Sequence, residues 1–401
     1  MYGGRYLYFI ICLLCFTGGA IHTHAQSFTD GGKALAAIRQ LMTSASAYLD
    51  KPGSDSEDID SALHIAGRME KLSLQLKSEL GLGLSKLMIS RTLVQGGQHK
   101  KARAYAQESV AIFSRLKAMQ EKADALIELA GSYSNTDEDI PTKISLYKQG
   151  ISIYHDQGDK MHEAQMLEVL GDLNQVKQDY AAALSHLHQA LTLYKSIGYK
   201  KLEGVYALLG SVYNEQSNYI EALRYNLLAV KTGEELGDSG ALMAAIYNRL
   251  AMSYFSIDYL KLAMEYYQKG MHIARINNDT YSIQNFQFNI GELLAKMGRY
   301  PEALDSLKAA YTQYPVADVY DEGFFMMRFL SLYMNMKDYA NAEKCYRKML
   351  TVYGQVNELM KQELRVSLSS YLVKTGHYAE AAGYLDTFAK MEQQYPSSVL
   401  R

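Results

Sequence analysis

The sequence has no tryptophan, 5 prolines and 3 cysteines in 401 residues, and it has no long run of basic side chains. Each shortage excludes something. Scarce proline permits long uninterrupted helices, because proline removes a backbone donor and clashes with the turn before it. A composition of 48% hydrophobic and 21% charged residues excludes a disordered chain. The net charge of -2 comes from nearly balanced acidic and basic residues. Such a chain sets up no field that would gather nucleic acid or anionic lipid, so neither is an expected partner. The length exceeds one ordinary core and leaves either two or three domains or an extended repeat array.

The first 25 residues read as a secretory leader. Arg5 supplies a positive start, Leu7 to Phe16 an apolar stretch, and Thr23-His24-Ala25 small residues at the −3 and −1 positions of a cleavage site before Gln26. A retained membrane anchor needs a longer apolar run, and Gly18, Gly19 and His22 interrupt this one. Cys12 and Cys15 follow Ile11 and Leu14, where a lipoprotein signal carries small residues. They leave with the leader, so Cys345 alone remains and no internal disulfide is expected. An exported, periplasmic or extracellular chain follows, without membrane insertion of its mature part.

Internal repetition decides the fold. Aligned on one small residue, successive segments give Ala62, Ala102, Lys143, Ala183, Ala222, Ala263, Ala303, Ala342 and Ala381, at gaps of 39 to 41 residues. The exception, Lys143, belongs to a segment whose turn carries Pro141. Twelve positions earlier stand Ser90, Gly131, Gly171, Gly210, Ala251 and Gly291, and seven later Ser109, Gly150, Ala190, Ala229, Gly270 and Ala310. Small residues in register let two antiparallel helices cross closely without voids. Tyr180, Tyr219, Tyr300, Tyr339 and Tyr378, three before the aligned residue, are expected to plug the hairpin end. Asp179 and Asn218 are helix N-cap types, and Pro301 suits a first helical turn. Gly158, Gly198, Gly237, Asn277 and Pro315 recur between units as helix ends, Gly and Asn by accepting a left-handed backbone. Gly81-Leu82-Gly83 is read as a helix break between units rather than part of a dinucleotide fingerprint.

Leu170-Gly171, Leu209-Gly210 and Ile290-Gly291, each followed by Tyr-x-x-Ala in a second helix, resemble tetratricopeptide repeats. The resemblance is clear over 83–395 and weaker over 26–82, with 396–401 left as a tail. The period near 40 departs from the family's 34, as in its long-repeat subgroup, and the family tryptophan is absent. The resemblance implies an all-α, right-handed superhelical solenoid of about nine antiparallel helix pairs, whose first helices line a concave groove. Residues carried onto that groove are Glu168, Asp172, Ser211, Asn248, Arg249, Phe288, Asn289, Glu292 and Arg328. Asparagine can both donate to and accept from a peptide backbone, and arginine can fork onto a carboxylate.

Chemistry is sparse. No His-Glu-x-x-His occurs, His186 and His188 point to different helix faces, and neither a P-loop nor Gly-x-Ser-x-Gly is present. Cys345 reads as a buried structural thiol. The expectation is a non-enzymatic scaffold without cofactor or metal that holds a protein or peptide in its groove. The alternative is a sensor input of a bacterial signalling system, acting through a membrane partner or within a longer regulator. An apolar stripe of Ala381, Ala382, Leu385, Phe388 and Ala389 on the last helix motivates it, since a terminal repeat needs a polar outer face.

Overall fold

The protein is known here from a computed structural model that describes residues 30–51, 55–136, 138–313 and 318–394. The expected leader, Pro315 and the 396–401 tail lie outside these residues. The described residues form 18 α-helices and no strand. They divide into two compact units, residues up to Leu208 and from Leu209 onward.

The first unit contains α1 (Asp30–Leu49), α2 (Ser56–Gln75), α3 (Glu79–Gln95), α4 (His99–Leu116), α5 (Met119–Gly131), α6 (Ile140–Gln157), α7 (Lys160–Val176), α8 (Tyr180–Ser196) and the first turns of α9 (Glu203–Glu215). The second contains the rest of α9, then α10 (Tyr219–Glu235), α11 (Ala241–Ser256), α12 (Leu260–Ile276), α13 (Thr280–Lys296), α14 (Tyr300–Gln313), α15 (Val319–Asn335), α16 (Tyr339–Tyr353), α17 (Glu358–Lys374) and α18 (Tyr378–Gln394). Within each unit, described helices that follow one another in sequence pack as hairpins. Within a unit, first helices of neighbouring pairs also touch, α1 with α3 and α3 with α5 in one, α11 with α13 and α15 with α17 in the other.

The aligned column falls where close packing demands it. All nine residues sit in the second helices at 0 or 1% exposure. Lys143 keeps the register by sending its Nζ out of the seam to the Tyr133 carbonyl (3.1 Å) and Asn135 Oδ1 (2.7 Å). Its methylenes fill space while its charge finds oxygen acceptors in the preceding turn. The earlier small column meets the second helix directly: a Cβ on Gly171 would lie 2.5 Å from Leu187, and one on Gly291 2.6 Å from Leu307. Ser90 and Ser109 fit because their hydroxyls donate to the Ala102 and Gly83 carbonyls at 2.9 and 3.0 Å.

The turns inside the pairs share one device. Five residues before the column, Gly97, Gln178, Ser217, Asp258, Gly298, Lys337 and Gly376 take a left-handed backbone. The next residue then caps the second helix: Asp179, Asn218 and Asp338 accept from the amides of Ala182, Glu221 and Asn341.

Four expectations need correction. Gly81-Leu82-Gly83 is no break: all three lie in α3, which starts at Glu79 and so moves the start of that pair back from residue 83. A Cβ on Gly81 would come within 2.5 Å of Ile38 Cδ1, and one on Gly83 within 2.6 Å of the Phe113 ring, so these glycines serve close helix approach. Asn277 keeps negative φ, and its neighbour Asn278 takes the left-handed turn at φ 52°. Tyr339 and Tyr378 are 54 and 68% exposed, so they do not plug their hairpins. At the first position of a helix, the side chain leans back over the turn and out toward water.

The interior is assembled locally, pair against pair. In the first unit one cluster joins Ile38, Met69 and Met88, and another joins Tyr147, Tyr154, Met166 and Leu170. In the second unit Tyr267 and Phe286 form one centre, and Phe325, Phe329, Met349 and Leu364 another. Stability is then close to a sum over pairs and their interfaces. Cys345 joins this last cluster at 7% exposure, and burial pushes its thiol up to about 11.

Candidate functional site

In the second unit the predicted residues converge on the shared face of first helices. Asn248 and Arg249 come from α11, Phe288, Asn289 and Glu292 from α13, and Arg328 from α15. Asn289 Nδ2 donates to Asn248 Oδ1 at 2.8 Å, joining α11 to α13. Arg328 Nε stands 2.9 Å from Glu292 Oε2 and joins α13 to α15, in an approach that is electrostatic more than a directed hydrogen bond. Burial raises the Glu292 carboxyl, and the guanidinium opposes that rise. Phe288 meets Phe325 edge-on with ring centroids 5.4 Å apart. The result is a partly exposed strip of amide, aromatic and paired charge across three successive first helices. Arg249 is half-buried, and its carbonyl accepts from Ser253 Oγ at 3.1 Å.

The predicted pair in the first unit behaves differently. Glu168 and Asp172 lie one turn apart on α7, and Asp172 is buried. Glu168 Oε2 accepts from the Tyr194 hydroxyl at 2.8 Å. Burial pushes the Glu168 carboxyl up to about 7, the tyrosine bond opposes it, and Asp172 and Glu203 add to it. Asp172 is buried in the packing between pairs and Glu168 is half-buried, because the next first helix, α9, begins beside it: a Cβ on Gly204 would lie 3.0 Å from Glu168 Oε1.

Sequence reasoning missed a small cavity of about 40 Å³ in the first unit, which takes residues from α1, α3, α5, α6 and α7. Its apolar wall includes Met42, Met88 and Met166, and its polar groups are Arg91, Asp124, Glu128, Tyr154 and His162. The available signal was Asp124-x-x-x-Glu128, two carboxyls on one helix face, but the weakly patterned early repeats drew no attention to it. Among the described residues no group of three or more His, Cys, Asp or Glu gathers as a metal site, and no helix is long and apolar enough to cross a membrane.

The tetratricopeptide-repeat profile matches residues 244–277 and 325–355, within the pairs α11–α12 and α15–α16. The chain contains tetratricopeptide repeats. No curated protein sequence matches it. Among solved structures it is similar to apo RapI, with TM-score 0.63, 12% identity, and coverage of 90% of this chain and 98% of that one. A Rap protein complexed with competence and sporulation factor gives TM-score 0.57, 13% identity, and coverage of 90 and 98%. A signal-transduction ATPase with a tetratricopeptide-repeat sensor, from Pyrococcus horikoshii, gives TM-score 0.60 and 13% identity over 94% of this chain and 54% of that one. At these identities the likeness establishes the α-solenoid fold alone.

Proposed function

We propose that this tetratricopeptide-repeat chain is an exported, extracytoplasmic scaffold without catalytic activity that binds a protein or peptide along its first-helix face. The observation that carries the reading is the strip of the second unit, where Asn248–Asn289 and Glu292–Arg328 link three first helices beside Phe288. An extended peptide needs alternating donors and acceptors with apolar anchors between them, and this strip offers both. The leader-like segment supports export. The mature chain carrying Arg249→Glu with Asn289→Ala, used beside the wild type to recover partners from envelope extract, tests it. Selective loss of a partner supports the reading; identical recovery by both proteins counts against it.

A sensor-input role is the second reading. Ala382 is exposed and Leu385 is 47% exposed on α18, so that part of the apolar stripe stays uncovered, whereas Phe388 and Ala389 lie among side chains outside the description. Cross-linking from an introduced cysteine at Leu385 in intact cells tests it. A membrane-embedded adduct favours a sensor, and purely soluble adducts favour the scaffold.

A further inference from the structure

We propose that the cavity of the first unit is a receptor for one basic side chain, lysine or arginine, presented by the partner. The identity of its bearer rests on the scaffold reading; the chemistry of the cavity does not.

The geometry points to a cation. Asp124 and Glu128 project from one face of α5 into the same space. The Tyr154 hydroxyl donates to Asp124 Oδ1 at 2.6 Å. Among the described residues the Glu128 carboxylate has no hydrogen-bond or ion-pair partner, although it lines the cavity. Arg91, from α3, is the cation that faces it, and Arg91 Nη2 is held 2.7 Å from Asp50 Oδ1. His162, from α7, has its Nδ1 2.7 Å from Asp159 Oδ2, and Glu121 pairs with Arg39 at 3.4 Å. Arg103, from α4, is spent on the Ser132 carbonyl at 3.1 Å and on the Tyr133 ring face. Carboxylates outnumber the cations around the cavity, which disfavours an anion there.

Shape agrees with charge. The stacked rings of Tyr154 and His162, 5.1 Å between centroids and 21° apart, form the aromatic part of the cavity wall, a π-rich surface that suits a guanidinium. The methionine walls accept an aliphatic stem of variable course. The volume corresponds to roughly three water-sized spheres, enough for an ammonium or guanidinium head. Burial pushes the Glu128 carboxyl up to about 7, with Arg91 opposing and Asp124 adding to the rise. A cation favours the ionised form, so its binding releases a proton.

The test uses n-butylguanidinium and n-butylammonium as probes on the full mature chain, read by methyl NMR of Met42, Met88 and Met166. Both cations are expected to shift these signals saturably, while butyrate and butanol are not. Apparent affinity should rise about tenfold between pH 6 and pH 8, following the ionised fraction of one carboxyl. Glu128→Gln should weaken binding and flatten that pH profile; burial also raises the Asp124 carboxyl, and Asp124→Asn should weaken binding and move the profile to lower pH, because it removes one contribution to the rise of Glu128. Circular dichroism checks that both variants fold. Stronger shifts with butyrate, equal shifts with butanol, or no saturable shift with either cation overturn the assignment. None of these outcomes bears on the scaffold reading, because the envelope test reads substitutions in the other unit.

Discussion

Replacing Glu168 by glutamine should stabilise the protein at alkaline pH and leave it unchanged near pH 4.5. The carboxyl has an ordinary value of 4.5 and is held near 7 by burial, with Asp172 and Glu203 beside it. Between those two values the folded chain keeps a proton that the unfolded chain has released, so unfolding becomes easier as pH rises through the window. The full gap corresponds to roughly 3 kcal/mol. Glu168 is half-buried rather than sealed, and solvent screening brings the expected effect to about 1–2 kcal/mol. Glutamine retains an acceptor for the Tyr194 hydroxyl, so the substitution removes charge while leaving the 2.8 Å contact available. Glu128 adds a pH dependence of the same sign; only the difference between wild type and variant isolates Glu168. Urea unfolding followed by circular dichroism at pH 5, 6, 7 and 8 measures it. A difference that is flat with pH, or a variant less stable than wild type at pH 8, would refute the argument.

Two glycine substitutions should act in opposite directions. Gly67→Ala, in mid-helix with nothing near its added methyl, should raise the urea midpoint by an amount worth about 1 kcal/mol, whereas Gly291→Ala, aimed at Leu307, should lower it by about 1–3 kcal/mol. Gln178→Gly, at a left-handed turn position with φ 61°, should stabilise by about 1 kcal/mol, measured in the same assay. Cys345 should resist a thiol-reactive disulfide reagent at pH 8 in the native protein and react promptly in urea, because burial both shields the sulfur and keeps it protonated. Rapid native labelling of that residue would contradict its placement.

The helical hairpins were legible because close crossing leaves a chemical trace. Where two backbones approach, only Ala, Gly or Ser fits, and these residues recur at the repeat interval whatever else varies. Even Lys143 obeys the spacing, although its type gives no hint that its amine escapes to a turn. Details decided by a few atoms were less visible. Nothing in Gly81-Leu82-Gly83 distinguishes a break from a tight contact with Ile38 and Phe113, since glycine suits both. Asn277 and Asn278 are identical residues, and the one with positive φ is selected by where α12 runs out of partners. The second-unit strip was reachable because Arg249, Asn289 and Arg328 occupy one repeat position, and Asn248 and Phe288 the one before it. The first-unit cavity was not, because its five polar groups come from four helices and share no common register.

The Lys143 amine, gripped by two oxygens where it leaves an otherwise aliphatic seam, gives the chain an internal gauge of local opening. Mild acylation would modify surface lysines first and reach this nitrogen only when the segment between Tyr133 and Asn135 lets go. Its modification rate, followed by mass spectrometry, would therefore clock the breathing of a single hairpin.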